Sequence, residues 1–153
     1  MKRKLIWLIF LLVLFVSSYY REVLFRSINA LMDGQDFFYA KTTALPFLQD
    51  WTFEKLNKLK YVLTVAFSIL FMGISLFGLR YAFTSKLAYW LLTSIYLFMI
   101  LISIITISIG IFFFDFQSVY PFLRKLIGVI HNPLPYLFIS IGVYAFNQIQ
   151  KIK

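Results

Sequence analysis

Residues 61–114 decide the fold, and they read YVLTVAFSILFMGISLFGL (61–79), RYAFTSK (80–86) and LAYWLLTSIYLFMILISIITISIGIFFF (87–114). The first and third segments contain 19 and 28 residues without a charged side chain. Both exceed the roughly 18 consecutive uncharged, apolar residues that indicate a membrane-spanning helix. The basic segment between them is too short for anything but a turn. We therefore predict two antiparallel transmembrane helices joined as a hairpin.

The composition extends this prediction to the whole chain. Of the 153 residues, 61% are hydrophobic and only 14% are charged, which is too little polar surface for a water-soluble domain. Backbone groups in hydrocarbon must bond to one another, and unbroken apolar segments satisfy them as helices rather than as alternating strands. The sequence predicts an all-α polytopic membrane protein that forms a single integral membrane domain over residues 1–153.

Two further spans complete the predicted topology. MKRK precedes the apolar residues 5–20, which we interpret as an uncleaved span with Tyr19 and Tyr20 at its interface. The alternative is a cleavable signal peptide that ends at Ser18. Near the C-terminus, Pro133 and Pro135 prevent a straight helix, so the last span is expected over residues 134–149. The four predicted spans are therefore residues 5–20, 61–79, 87–114 and 134–149.

The segment after the first span has two distinct faces. Leu24, Ile28 and Leu31 recur at helical spacing and predict an apolar face. The opposite face is polar and consists of Glu22, Arg26, Asn29 and Asp33. We expect an amphipathic helix at the start of an outward loop over residues 21–60. This helix either lies on the membrane surface or presents a face to a partner protein, and the candidate partner-binding residues are Arg21, Glu22, Arg26 and Asn29.

Small residues mark the faces on which the spans are expected to pack. Small side chains let helix backbones approach closely in lipid. In the second and third spans they fall near one face of each helix, at Thr64, Ser68, Ser75 and Gly78 and at Ser103, Thr106 and Gly110. A polar permeation path along these residues is the alternative interpretation.

The formal net charge of +9 bears on partners and on orientation. The basic residues lie at span ends and in loops, which favours an anionic lipid surface over nucleic acid as the partner. Lysine and arginine before a first span tend to remain in the cytoplasm. We therefore expect both termini to be cytoplasmic, with the acidic residues on the other side.

The sequence is poor in groups that perform catalysis or bind metals. It has no cysteine, a single histidine at position 131, and no ionisable side chain inside the four apolar segments. For Asp33, Asp36 and Asp50, turn and capping roles are favoured over cation binding. We expect no enzymatic activity, no metal and no cofactor. An assembly of several copies into a small oligomeric membrane pore or transporter component is the alternative function.

Three short stretches resemble a known group of proteins. They are YYREVLFRSINALM (19–32), LKYVLT (59–64) and HNPLP (131–135). Their order is similar to that in the small four-span membrane proteins encoded beside exosortases in Bacteroidota, in particular the exosortase X-associated group. The positions that fit the pattern are Arg21, Glu22, Asn29, Lys60, Thr64, Pro133 and Pro135. Tyr61 departs from it, because a tryptophan is expected there.

The resemblance implies a function. Exosortases are membrane transpeptidases that use a cysteine, so a chain without cysteine does not fit the transpeptidase itself. What the resemblance implies is a non-catalytic accessory subunit of an exosortase-type envelope protein-sorting system. The implied location is the cell inner membrane, with an exosortase as the membrane protein partner.

Overall fold

A computed structural model describes residues 2–36, 40–83, 85–113 and 116–152. In these residues the fold is all-α, as predicted. Two 3₁₀ turns, Thr42–Ala44 and Pro46–Leu48, lie between the first two helices. The helices are α1 (Lys2–Asp33), α2 (Phe53–Ala82), α3 (Lys86–Phe112), α4 (Phe116–Ile130) and α5 (Leu134–Ile152).

The helices have the length and composition of a multi-pass membrane protein. α1, α2 and α3 are each long and apolar enough to span a membrane. α4 and α5 meet this test together, as a pair bent by 49° that makes a fourth span if it crosses as one broken helix. α2 and α3 are separated by three residues, and Ser85 caps α3 by accepting a hydrogen bond from the Ala88 amide at 3.4 Å. The predicted end of the third span at residues 114–115 lies outside the described residues.

α1 is one continuous helix through the predicted first span and the predicted amphipathic segment. Its 32 residues reach about 48 Å at 1.5 Å per residue, well beyond the roughly 30 Å hydrocarbon core. It ends at Gly34, whose φ of 64° is the left-handed conformation that glycine tolerates. The Gln35 amide then donates to the Ala30 carbonyl at 3.2 Å. Asp33-Gly34 thus closes the helix.

The apolar face of the α1 extension is covered by the chain itself. Ile28 is fully buried in a small core with Leu48 and Leu56, which follow it in the loop and in α2. A helix lying separately on the membrane surface would instead turn this face to lipid. The polar face of α1 is therefore the face that remains accessible. The segment 21–60, predicted as an outward loop, is largely helical in its described residues.

The chain breaks between α4 and α5 where the two prolines predict it. The Asn132 side chain accepts a hydrogen bond from the Leu134 amide at 3.1 Å and caps α5. Pro135 falls in the first turn of α5, where no intrahelical amide bond is required of it. The pair runs through the bundle, because Arg124 lines a cavity with Arg21 while Gln148 lines another with Arg3. The first residues of α1 and the last turns of α5 thus lie at the same end of the molecule.

The small-residue face of α2 is a packing face, as predicted. Ser75 is buried, and its hydroxyl lies 3.1 Å from the Tyr96 hydroxyl of α3. Gly78 is also buried, against Phe10 of α1 and Tyr136 of α5. The most extensive helix contact in the described residues is between α1 and α2 rather than within the α2–α3 hairpin. The long α1 extension accounts for this, because it continues along α2 beyond the apolar segments.

Candidate functional site

The candidate site is an open cavity of about 810 Å³ between α1, α2, α3 and α4, at the opposite end of the bundle from Arg3 and Gln148. α1 contributes residues between Arg21 and Asn29, and α2 contributes residues between Asn57 and Val65. The two helices are held side by side by the small core around Ile28. The cavity exists because both helices continue past their uncharged segments and carry polar residues there.

The wall from α1 is organised by one carboxylate between two arginines. Arg26 Nε donates to Glu22 Oε1 at 2.8 Å, the i, i+4 ion pair that helical spacing favours. Arg21 Nη1 donates to the other carboxylate oxygen at 3.3 Å. The Arg21 guanidinium also lies over the Phe25 ring, 4.7 Å from its centroid. Glu22 therefore holds both guanidinium groups along the same wall.

Most of the residues singled out in the sequence meet in this cavity. The four candidate partner-binding residues all line it. Lys60 and Thr64, which come from the resemblance, line it from α2. Pro133 and Pro135 do not, because both are buried at the break between α4 and α5. Six of the eight positions therefore line the cavity, and the two prolines lie at the break between α4 and α5.

Residues of α3 and α4 were missed by the sequence argument. Tyr120, Arg124 and Ile127 of α4 line the cavity, together with Ile107 and Ile111 of α3. The spacing of the three α4 residues places them on one helix face, and this was an available signal. Which other helix that face meets depends on how the spans pack, and spacing within α4 does not contain that information.

A second polar cluster surrounds His131. The imidazole is 1% exposed, and its Nε2 lies 2.7 Å from Ser68 Oγ of α2. Ser18 of α1 donates to the His131 carbonyl at 3.2 Å. The ring packs against Phe71, with centroids 5.8 Å apart. His131 thus connects the α4–α5 break to both α1 and α2.

The direction of the Ser68–His131 hydrogen bond depends on the tautomer of the imidazole. When the Ser68 hydroxyl donates to the Thr64 carbonyl at 2.8 Å, its oxygen accepts from a protonated His131 Nε2. The other ring nitrogen, Nδ1, is buried without a hydrogen-bond partner among the described residues. A catalytic histidine needs the reverse arrangement, in which it accepts the serine proton and a third group orients it. The imidazole and the Ser68 hydroxyl thus pack together and share one hydrogen bond between α2 and the α4–α5 break.

The loop aspartate Asp36 has the turn role that its position suggests. Its carboxylate accepts hydrogen bonds from the Thr42 amide at 2.7 Å and from the Thr42 hydroxyl at 2.8 Å. Both hydrogen bonds lower the pKa of the Asp36 carboxyl below its ordinary value, and the bond from the Thr42 amide has the larger effect. The described residues contain no group of three or more His, Cys, Asp or Glu placed to hold a metal ion.

Comparisons with known proteins add no relative. The chain matched no protein-family profile, no curated protein and no solved structure.

Proposed function

We propose that this protein is a non-catalytic accessory subunit that docks onto another membrane protein through the polar face of the α1 extension. In keeping with the sequence resemblance, the proposed partner is an exosortase-type transpeptidase of an envelope protein-sorting system. The observation that supports docking is the Glu22–Arg26 pair, which stands accessible on a continuous helix directly beyond a span. A helix continuous with a span is held at a fixed height, where a neighbouring membrane protein meets it.

The free-energy contribution of the Glu22–Arg26 pair differs between a docking face and a polar face that is only solvated. The side chains of Arg26 and Glu22 are 49% and 48% exposed. An ion pair this exposed contributes only about 0.3–0.5 kcal/mol to helix stability. At a desolvated protein interface, loss of one partner of such a pair costs about 2 kcal/mol or more, because the other charge is left unpaired. Charge reversal therefore has little effect on folding and a large effect on docking.

We expect Arg26→Glu to leave expression and membrane insertion unchanged and to reduce co-purification with the exosortase several-fold. The double exchange Glu22→Arg with Arg26→Glu restores the helical ion pair but not binding, because the partner meets the charges in the wrong order. Lys58→Glu is the matched control, since Lys58 is an exposed base on α2 that does not line the cavity. If both α1 variants co-purify as well as wild type, the α1 face is not a docking face.

The proposed orientation places both termini in the cytoplasm and the cavity on the outer side of the inner membrane. It rests on the KRK sequence at the start of α1 and on the location of Arg3 and Gln148 at the same end of the molecule. The loop between α1 and α2 then faces outward, and the α2–α3 turn faces the cytoplasm.

Single cysteines test this orientation cleanly, because the natural sequence has none. Thr43→Cys, at an exposed position between α1 and α2, is expected to react with a membrane-impermeant maleimide in intact cells. Lys86→Cys, at an exposed position at the start of α3, is expected to react only after permeabilisation. The opposite labelling pattern would reverse the orientation of the protein.

A further inference from the structure

The cavity between α1, α2, α3 and α4 concentrates positive charge. Among the described residues four basic side chains line it, Arg21, Arg26, Lys60 and Arg124, against one carboxylate, that of Glu22. Arg21 of α1, Lys60 of α2 and Arg124 of α4 come from three different helices and line the same space. Glu22 attracts Arg21, and Asp33 attracts Lys60. The described lining residues carry a formal charge of +3.

Part of this charge lies away from solvent. The Arg21 side chain is only 17% exposed, and its Nε is buried without a hydrogen-bond partner among the described residues. Lys60 is half-buried on the facing helix. Confining like charges in a partly desolvated space is unfavourable, and a buried donor without an acceptor adds to that cost. An anion with several oxygen acceptors relieves both.

One part of the cavity wall is apolar and continues toward the hydrocarbon. It is formed by the branched side chains of Val65, Ile107, Ile111 and Ile127. Val65 and Ile111 are 60% and 64% exposed, at the edge of the cavity that faces lipid. Lys60 directly precedes the uncharged segment of α2, and Val65 follows one turn later. The cations therefore lie where lipid headgroups lie, and the apolar wall lies where acyl chains begin.

We propose that this cavity is a binding site for an anionic phospholipid, with the lipid phosphate held by the arginines and the lysine and the start of one acyl chain against the isoleucines. Arginine guanidinium groups bind phosphate oxygens in pairs, and basic pockets between transmembrane helices are suited to anionic headgroups. The volume of about 810 Å³ lies within the roughly 300–1,000 Å³ of small-molecule sites. We expect the occupant to be a lipid from the surrounding leaflet, because the apolar wall makes favourable contacts with an acyl chain and none with a free phosphate ion.

The test measures binding of dioctanoyl phosphatidylglycerol to the purified full-length protein by native mass spectrometry. We expect saturable binding that is weakened at least tenfold by Lys60→Gln and by Arg124→Gln. Lys58→Gln is the matched control, because it removes the same charge from α2 at a position outside the cavity. We expect it to change the affinity less than twofold. Arg124 is exposed, so its variant stays informative if Lys60→Gln destabilises the fold.

Three results would overturn the proposal. Equal loss of affinity in Lys58→Gln and in the cavity variants would mean that net charge alone attracts the lipid. Equal binding of the zwitterionic dioctanoyl phosphatidylcholine would remove the role of the anionic headgroup. Equally tight binding of inorganic phosphate would make the site one for a free anion. The assay contains no partner protein, so its outcome is independent of whether the α1 face docks onto an exosortase.

Discussion

We expect His131→Ala to lower the free energy of unfolding of the detergent-solubilised protein by about 2–5 kcal/mol, the range for large-to-small changes at buried positions. The imidazole fills the space between α2 and the α4–α5 break, with Phe67 and Phe71 against its ring. Its loss leaves a cavity and removes the imidazole partner of Ser68 Oγ. Chemical denaturation followed by circular dichroism measures the change.

Ser68→Ala separates this structural role from catalysis. It removes the hydroxyl and keeps the packing of the imidazole, so we expect a smaller loss of about 1–3 kcal/mol from the unpaired ring nitrogen. Complementation of a deletion strain by Ser68→Ala is expected to match wild type wherever the protein accumulates normally. Loss of complementation at normal protein levels would indicate that the Ser68–His131 pair is catalytic. Wild-type stability of His131→Ala would contradict the packing role.

We expect Gly78→Ala to destabilise the helix bundle by about 1–3 kcal/mol, the usual cost of overpacking a tight interior. A Cβ at this position would lie 2.9 Å from Phe10 Cβ and 2.9 Å from Tyr136 Cε2. The Phe10 atom is the first of its side chain and cannot move without a shift of α1. The clash is relieved if α1 and α5 move away from α2, and this movement loosens the contact along the whole face of α2.

Gly73→Ala is the control for helix propensity. It lies on the same helix, and nothing comes within 4 Å of a Cβ added there. Alanine is the better helix former by up to about 1 kcal/mol, so Gly73→Ala is expected to be neutral or stabilising. Thermal denaturation of the two variants beside wild type measures the difference. Similar melting temperatures for the two variants would mean that α1, α2 and α5 do not meet closely at Gly78.

The docking face and the lipid site both include residues on the α1 wall of the cavity. The two proposals are therefore tested with different variants. Arg26 and Glu22 are tested by co-purification with a partner, whereas Lys60 and Arg124 are tested by lipid binding to the isolated protein. Arg21 is left unchanged in both experiments, because its contacts with Glu22 and Phe25 also hold the wall together.

The sequence by itself determined the all-α class, the end of α1 and the break in the last segment. Long uncharged segments must be helical in hydrocarbon, because no water is present there to bond the backbone. Asp33-Gly34 stops α1 through the left-handed conformation of glycine, and Pro133 and Pro135 break the last segment through their missing amide hydrogens. The spacing of Ser75 and Gly78 also indicated the packing face of α2. Each of these properties depends on residues within a few turns of one another.

The tertiary structure alone decided what the helices bring together. Ser68 meets His131 across 63 positions of sequence, and Ser18 meets the same residue across 113. Arg124 joins Arg21 and Lys60 because α4 turns one particular face toward α1 and α2. Leu48 covers Ile28 because the loop folds back onto α1. The rotation of each helix depends on the shapes of all its neighbours at once, so no local pattern in the sequence contains it.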